Sequence, residues 1–429
     1  MNLSSRHRSF FDQPNWRTVS RFRQFCVGVH RADKWRELLS YLRWEVNHRV
    51  GAFHKSRYLR FTDHQPMLLT DSSPIPLAFS VGPSARAQRS ALPWRMLLSR
   101  TGREQWGCLF SDELGLYVSR DSGQSATCCY VFAHPIQSLF QSAAGHLYVC
   151  NRGTLFRSTD GGNSFQDVMH FSSPDSYFLF NNGMTELPDG RLLIGEYGVV
   201  EQANQRCQNL AYVYYSTDRG ENWQRTDFLI RDGVNKHVHL VKYSLHLNAI
   251  ALTDGDNKKQ VWLNRSLTNI DRVADRNGAG WQRLNQSHYQ TGGYLSMVSV
   301  NGTVLFGSDY LGGTNFLLAT TDGPRFERKI VPDPYRRSPV VNMVTRRTRS
   351  GTAEIWAVLH NSIASTTRCL LMHSADAGTT WTRVMDYDGT RHEINLVSSA
   401  QGCVEQLYVA IITKQNTRFS HAVFAIVDE

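Results

Sequence analysis

Residues 157–165 read RSTDGGNSF, and the same grammar returns as YSTDRGENW at Tyr215 to Trp223 and HSADAGTTW at His373 to Trp381. Each copy is Ser-x-Asp-x-Gly-x followed by Ser, Asn or Thr and then an aromatic, with β-forming residues on both sides. The pattern predicts a tight connection between two antiparallel strands. The carboxylate of Asp160, Asp218 or Asp376 can accept backbone N–H bonds across the turn. The glycine supplies a backbone conformation that a Cβ forbids, and the aromatic packs back between strands. Two copies are degenerate, VSRDSGQSA at Val118 to Ala126 and ATTDGPRF at Ala319 to Phe326, and a sixth survives as Ser266 and Trp281 separated by an insertion.

These phrases resemble the Asp-box (BNR) repeat, found in sialidases, other carbohydrate-active propellers, sortilin-like receptors and photosystem assembly factors. The resemblance implies a β-propeller. Sialidase activity is not implied, because the Arg-Ile-Pro phrase and the arginine triad of that family are absent.

The boxed Ser or Thr positions fall at 119, 158, 216, 320 and 374, with the worn copy at 266 filling the long gap. A period of about 40 to 50 residues is that of propellers and solenoids. Around the clearest box, IQSLFQSA, HLYVCNRG, TLFRSTD and NSFQDVM read as four short strands, the box joining the third to the fourth. The same reading fits units over 94–131, 182–230, 236–287, 294–330 and 339–387. The C-terminus adds INLVSSA, QLYVAIITK and HAVFAIVDE, three strands lacking a fourth, while PLAFSVG at Pro76 to Gly82 is a strand lacking a blade. Closing the ring with that strand leaves no exposed edge. The expected fold is therefore all-β: a seven-bladed propeller of four-stranded antiparallel blades over 75–429, with six blades as the alternative.

The chain of 429 residues carries a formal charge of +10, and its first 60 residues hold 13 Lys and Arg against 4 acids. The propeller is thus nearly neutral and residues 1–74 form a basic, aromatic-rich extension. Trp35, Leu38, Leu39, Leu42 and Val46 follow helical spacing behind a candidate N-cap, Asp33, so an amphipathic helix is expected near 33–48. Its apolar stripe is expected to pack on the propeller. The sharper readings are attachment to an anionic membrane surface, or docking on an acidic protein partner through residues 1–60. Nucleic acid is disfavoured, since no recognition motif accompanies the basic region. No secretory h-region or transmembrane stretch is present, and eight cysteines form neither a CxxC pair nor a disulfide framework. A cytoplasmic protein, peripheral to a membrane if the helix binds one, is expected.

With the boxes at one end of the ring, chemistry is sought at the other, where second strands end and first strands begin. Second strands end near Arg152, Glu196, Tyr197, Asp254, Asp256, Asp309, Tyr310 and His360. First strands begin near His237, His239, Tyr294, Arg336 and Arg337. In HVH both imidazoles project to the same face of a strand. This region is similar to uncharacterised BNR propellers and, more loosely, to propeller-fold polysaccharide lyases that use His, Tyr and Arg.

The enzyme reading is glycosidic bond cleavage on a glycan. Hydrolysis would use two carboxyl groups from Glu196, Asp256 and Asp309. Elimination from an acidic, uronate-bearing glycan would use His239 as base, Tyr294 or Tyr310 as proton donor, and Arg152 or Arg337 against the sugar carboxylate. Tyr197, His237, Asp254 and His360 complete the binding set. No cofactor is expected; a divalent metal held by His237, His239 and a carboxylate is allowed but has no diagnostic spacing. The alternative is a non-catalytic glycan- or protein-binding scaffold docked through the basic segment.

Overall fold

The computed structural model describes residues 18–31, 35–70, 75–82, 85–99, 104–200, 208–234, 236–255, 260–284, 293–363, 365–415 and 418–428. Seven antiparallel blades form a ring, so the seven-bladed expectation holds over the six-bladed one. Blade two shows the plan: Ser138–Gln141, Leu147–Asn151, Thr154–Ser158 and Gln166–His170 pair in sequence order, with Ser158 leading into the box turn. Blades one and three to six begin at Trp94, Met184, Val238, Tyr294 and Val340 and repeat this order.

The last blade combines both ends of the chain. His392–Leu396, Leu407–Gln415 and Arg418–Asp428 come from the C-terminus, and Ala85–Arg89 pairs with Arg418–Asp428 to supply the fourth strand. The strand expected to close the ring, near 76–82, lies one place further out as Ala78–Gly82, paired to Ala85–Arg89. The closing strand ARAQR is inconspicuous because its inward residues, Ala85 and Ala87, are small, although both are buried. Earlier residues also join the sheet: Arg60–Phe61 and Met67–Leu69 run parallel to the outer strand Thr380–Asp388 of blade six.

Apolar residues meet between blades. Trp356, Leu371 and Met385 of blade six pack with Ile394, Val409 and Phe424 of blade seven and with Val81. The box turns fasten each blade to the one before. In the box of blade three, the Ser216 hydroxyl donates to Asp218 Oδ1 at 2.7 Å and accepts from Gly220 N–H at 2.7 Å. Gly220 has φ +77°, and a Cβ there would lie 2.5 Å from the Tyr148 ring of blade two. The Tyr148 hydroxyl in turn donates to the Arg219 carbonyl at 2.6 Å. The worn sixth copy keeps a remnant of this geometry, since Gly280 N–H still reaches the Ser266 hydroxyl at 3.2 Å.

Two helices precede the propeller, α1 over Thr18–Arg31 and α2 over Trp35–Arg49. The proposed N-cap Asp33 lies outside the described residues. Helix α2 meets the propeller with the face opposite to the one expected. Leu39, Leu42 and Val46 are exposed, while Tyr41, Trp44, Glu45 and His48 make the contacts. Specific partners decide the matter: Trp44 stacks on Phe316 at 5.6 Å, and Glu45 finds a buried arginine. No helix among the described residues is long and apolar enough to cross a membrane.

Candidate functional site

The mouth opposite the boxes is built from loops after second strands and before first strands. On its wall, Val238–Ser244 is the first strand of blade four, and His237 and His239 stand at its start, each 1% exposed. His237 Nδ1 donates to the Gly198 carbonyl at 2.6 Å, which leaves Nε2 to meet His239 Nε2 at 3.0 Å. The Tyr197 ring lies 4.3 Å from His237 and 5.9 Å from His239. Asp309 Oδ2 stands 4.0 Å from His239 Nε2, with its side chain 20% exposed. Blades three, four and five thus converge on one polar cluster.

Glycines make room for it. A Cβ at Gly255 would lie 2.4 Å from the His237 ring, and one at Gly293 would lie 2.8 Å from His239 Nδ1. Burial is the main cause of the low basicity of both imidazoles, reinforced by the nearby Lys236 ammonium. His237 falls to about 3 and His239 well below its ordinary value, so both are neutral at pH 7. Burial also raises the Tyr197 phenol, as do Tyr177 and Asp309.

The remaining expected residues are placed otherwise. Glu196 is fully buried, and its carboxylate accepts from Ser172 N–H at 3.1 Å, the Ser172 hydroxyl at 2.5 Å and the Tyr214 hydroxyl at 2.8 Å. Asp254 is likewise fully buried and accepts from Gln260 N–H at 3.2 Å. Tyr294 is a core residue packed with Phe306 and Phe316. Arg152 is exposed, 3.2 Å from His134 Nε2 on the rim of blade two. His360 lies by the Tyr387 hydroxyl at 3.3 Å, its basicity lowered by burial. Asp256 lies outside the described residues. Among the described residues no three His, Cys, Asp or Glu side chains are placed to hold a metal ion.

Tyr310 and Arg337 meet the N-terminal helix. Tyr41 packs edge-on against Tyr310 with ring centres 6.0 Å apart, and Arg337 Nη2 lies 3.8 Å from Glu45. The clamp is its neighbour Arg336, expected at the same rim but not as a binding residue. Its guanidinium donates to both Glu45 oxygens, at 2.6 and 3.3 Å, and to the Thr314 hydroxyl at 2.6 Å. Glu45 is 6% exposed and Arg336 4%. Burial alone would raise the Glu45 carboxyl, but the Arg336 hydrogen bonds and charge outweigh it and hold the group charged. Nothing local in the sequence marks this pair, whose members are 291 residues apart. The first strand of blade four carries one more group that the sequence does not single out. The Lys242 ammonium donates to the Met297 carbonyl at 3.3 Å and is lowered to about 8 by desolvation.

A cavity elsewhere, between the box-side edges of blades three and four, has about 250 Å³ and is lined by Arg191, Tyr215, Thr217, Asn269 and Asp271 among others.

No family model matches this chain, and no curated protein matches it. Solved structures similar to it include Ycf48 bound to D1 peptide, at 12% identity and TM-score 0.47, covering 86% of this chain and 100% of that one. A streptogramin B lyase structure matches at 12% identity and TM-score 0.49, covering 80% of this chain and 97% of that one. An α-L-arabinanase of Penicillium chrysogenum complexed with arabinobiose matches at 13% identity and TM-score 0.39, covering 67% and 91%. At such distance these likenesses carry no functional argument.

Proposed function

We propose that the protein is a carbohydrate-binding propeller of the Asp-box type, holding a glycan at the mouth beside Tyr197 and Asp309 without cutting it. The observation that carries this reading is the state of Glu196. Hydrolysis of a glycosidic bond needs two carboxyl groups facing one cleft. Glu196 is fully buried with three hydrogen bonds to Ser172 and Tyr214, and Asp254 is equally enclosed. Asp309 is the described carboxylate of this cluster that keeps partial exposure. An aromatic face, a partly accessible carboxylate and neutral imidazoles suit recognition of hydroxyl-bearing rings, where few polar groups set orientation.

A second reading, uronate elimination, rests on one observation: His239 is held unprotonated near Asp309. Titration calorimetry with neutral and acidic polysaccharides, with assays for new reducing ends and unsaturated uronate, separates the two. Saturable binding without product, weakened roughly tenfold or more in Tyr197→Ala, is expected. Either product, or no binding by any polysaccharide of the panel, overturns the proposal.

A further inference from the structure

We propose that the outward face of α2 docks the propeller on an anionic lipid surface. Helix α2 is held to the propeller from one side. Tyr41, Trp44, Glu45 and His48 engage Tyr310, Phe316, Arg336 and Asp333, and His48 Nε2 meets Asp333 Oδ2 at 2.7 Å. At about 100° per residue, Trp35, Leu39, Leu42 and Val46 fall within an arc of roughly 60° on the far side. All four are exposed, at 39%, 62%, 46% and 55%, and Val50 extends the row at 69%. Solvent-exposed apolar residues scattered singly need no explanation, but a continuous helical row does.

The charges around the row identify its occupant. Arg43 and Arg49 fall on either border of the stripe, where long side chains can reach headgroups while their stems lie along apolar surface. On the two helices the described exposed charged side chains are Arg23, Arg31, Arg43 and Arg49, all basic, whereas the described acid of α2, Glu45, is buried against Arg336. With 13 Lys and Arg against 4 acids in the first 60 residues, the segment has the sign that a negatively charged leaflet attracts. An aliphatic row with Trp35 at one end and arginines along both borders is the pattern of a helix lying in a bilayer interface. A second copy of the chain would meet these same arginines with its own.

The rigid clamp of Glu45 on Arg336 fixes which face points outward, so the helix arrives at the surface already formed. The propeller would then lie against the bilayer by its blade-five side. This inference does not rest on the glycan reading, and its assay uses no sugar.

The test is flotation of the full chain with phosphatidylcholine vesicles, with and without phosphatidylserine, beside Leu39→Ser/Val46→Ser and Arg43→Glu/Arg49→Glu variants. These positions are exposed, so both variants keep the fold, which thermal unfolding confirms. Expected is binding to phosphatidylserine vesicles that weakens roughly tenfold in either variant and falls with added salt. Absence of vesicle binding, or equal binding to neutral vesicles, overturns the proposal. So does a wild-type dimer in sedimentation that Leu39→Ser/Val46→Ser converts to monomer, which would seat a second copy on the stripe. Binding to soluble polyglutamate without vesicle binding would overturn it in favour of an acidic protein.

Discussion

At the box end of the ring, Asp160 and Asp218 lie at the surface and are held charged by the turn around them. The hydroxyl and backbone N–H of Ser164 lower Asp160 to about 2, and the backbone N–H and side-chain amide of Asn222 do the same for Asp218. At the mouth the arrangement reverses: His237 and His239 are buried, and burial holds them neutral. One end satisfies its carboxylates within a nine-residue phrase, and the other draws its polar groups from three blades. The local solution repeats and staples one blade to the next; the distributed one brings a partly exposed carboxylate, Asp309, beside the imidazoles and the Tyr197 ring.

Acid separates the two ends. His237 has an ordinary value of 6.5 and about 3 in the folded protein, so below 6.5 the unfolded chain binds a proton that the fold refuses. Stability should be full above about pH 6.5 and fall toward pH 3, by as much as about 4 kcal/mol from this group. Asp218 moves the opposite way: its contribution is present above 3.8 and is lost as pH falls toward 2. Urea midpoints against pH should show both windows, with His237→Gln flattening the upper one alone. An unchanged upper slope in that variant would break the contrast.

Arg336→Ala leaves the Glu45 carboxylate buried without its partner, a change worth on the order of 3 kcal/mol. The loss should appear as undocking of α2, read as faster hydrogen exchange over 35–49, with exchange in the blades unaltered. Protection unchanged in α2 would show that the clamp does not hold it. Gly255→Ala drives a Cβ against the His237 ring and should cost about 2 kcal/mol in thermal unfolding while displacing the histidine pair. A neutral result would mean that the close packing at the mouth is not restrictive. The smallest effect is expected at the box end, where Ser216→Ala strands the Gly220 N–H and should cost about 1 kcal/mol.

The same contrast explains how much of the molecule could be read beforehand. The box turns were legible because Ser216, Asp218, Gly220 and Trp223 bond to one another, and their recurrence counted out the blades. The closing strand was misplaced by one position because ARAQR offers only alanines as inward residues, whereas Phe79 and Val81 made the outer strand conspicuous. Glu196 carried the right residue type at the right rim, yet its role depends on Ser172, 24 residues earlier, which belongs to no motif. The helix was visible from its periodicity, but its docking face was not. Trp44, Glu45 and His48 are chosen by Phe316, Arg336 and Asp333, and no pattern within the helix encodes partners that distant.

The division of labour between the two ends is tested most directly by measuring glycan affinity and melting temperature together in Asp309→Asn and Ser216→Ala. The account predicts that Asp309→Asn loses roughly tenfold or more in affinity at an unchanged melting temperature, while Ser216→Ala melts earlier and binds as wild type. Full affinity in Asp309→Asn, or an affinity loss in Ser216→Ala at temperatures where it is folded, would contradict it.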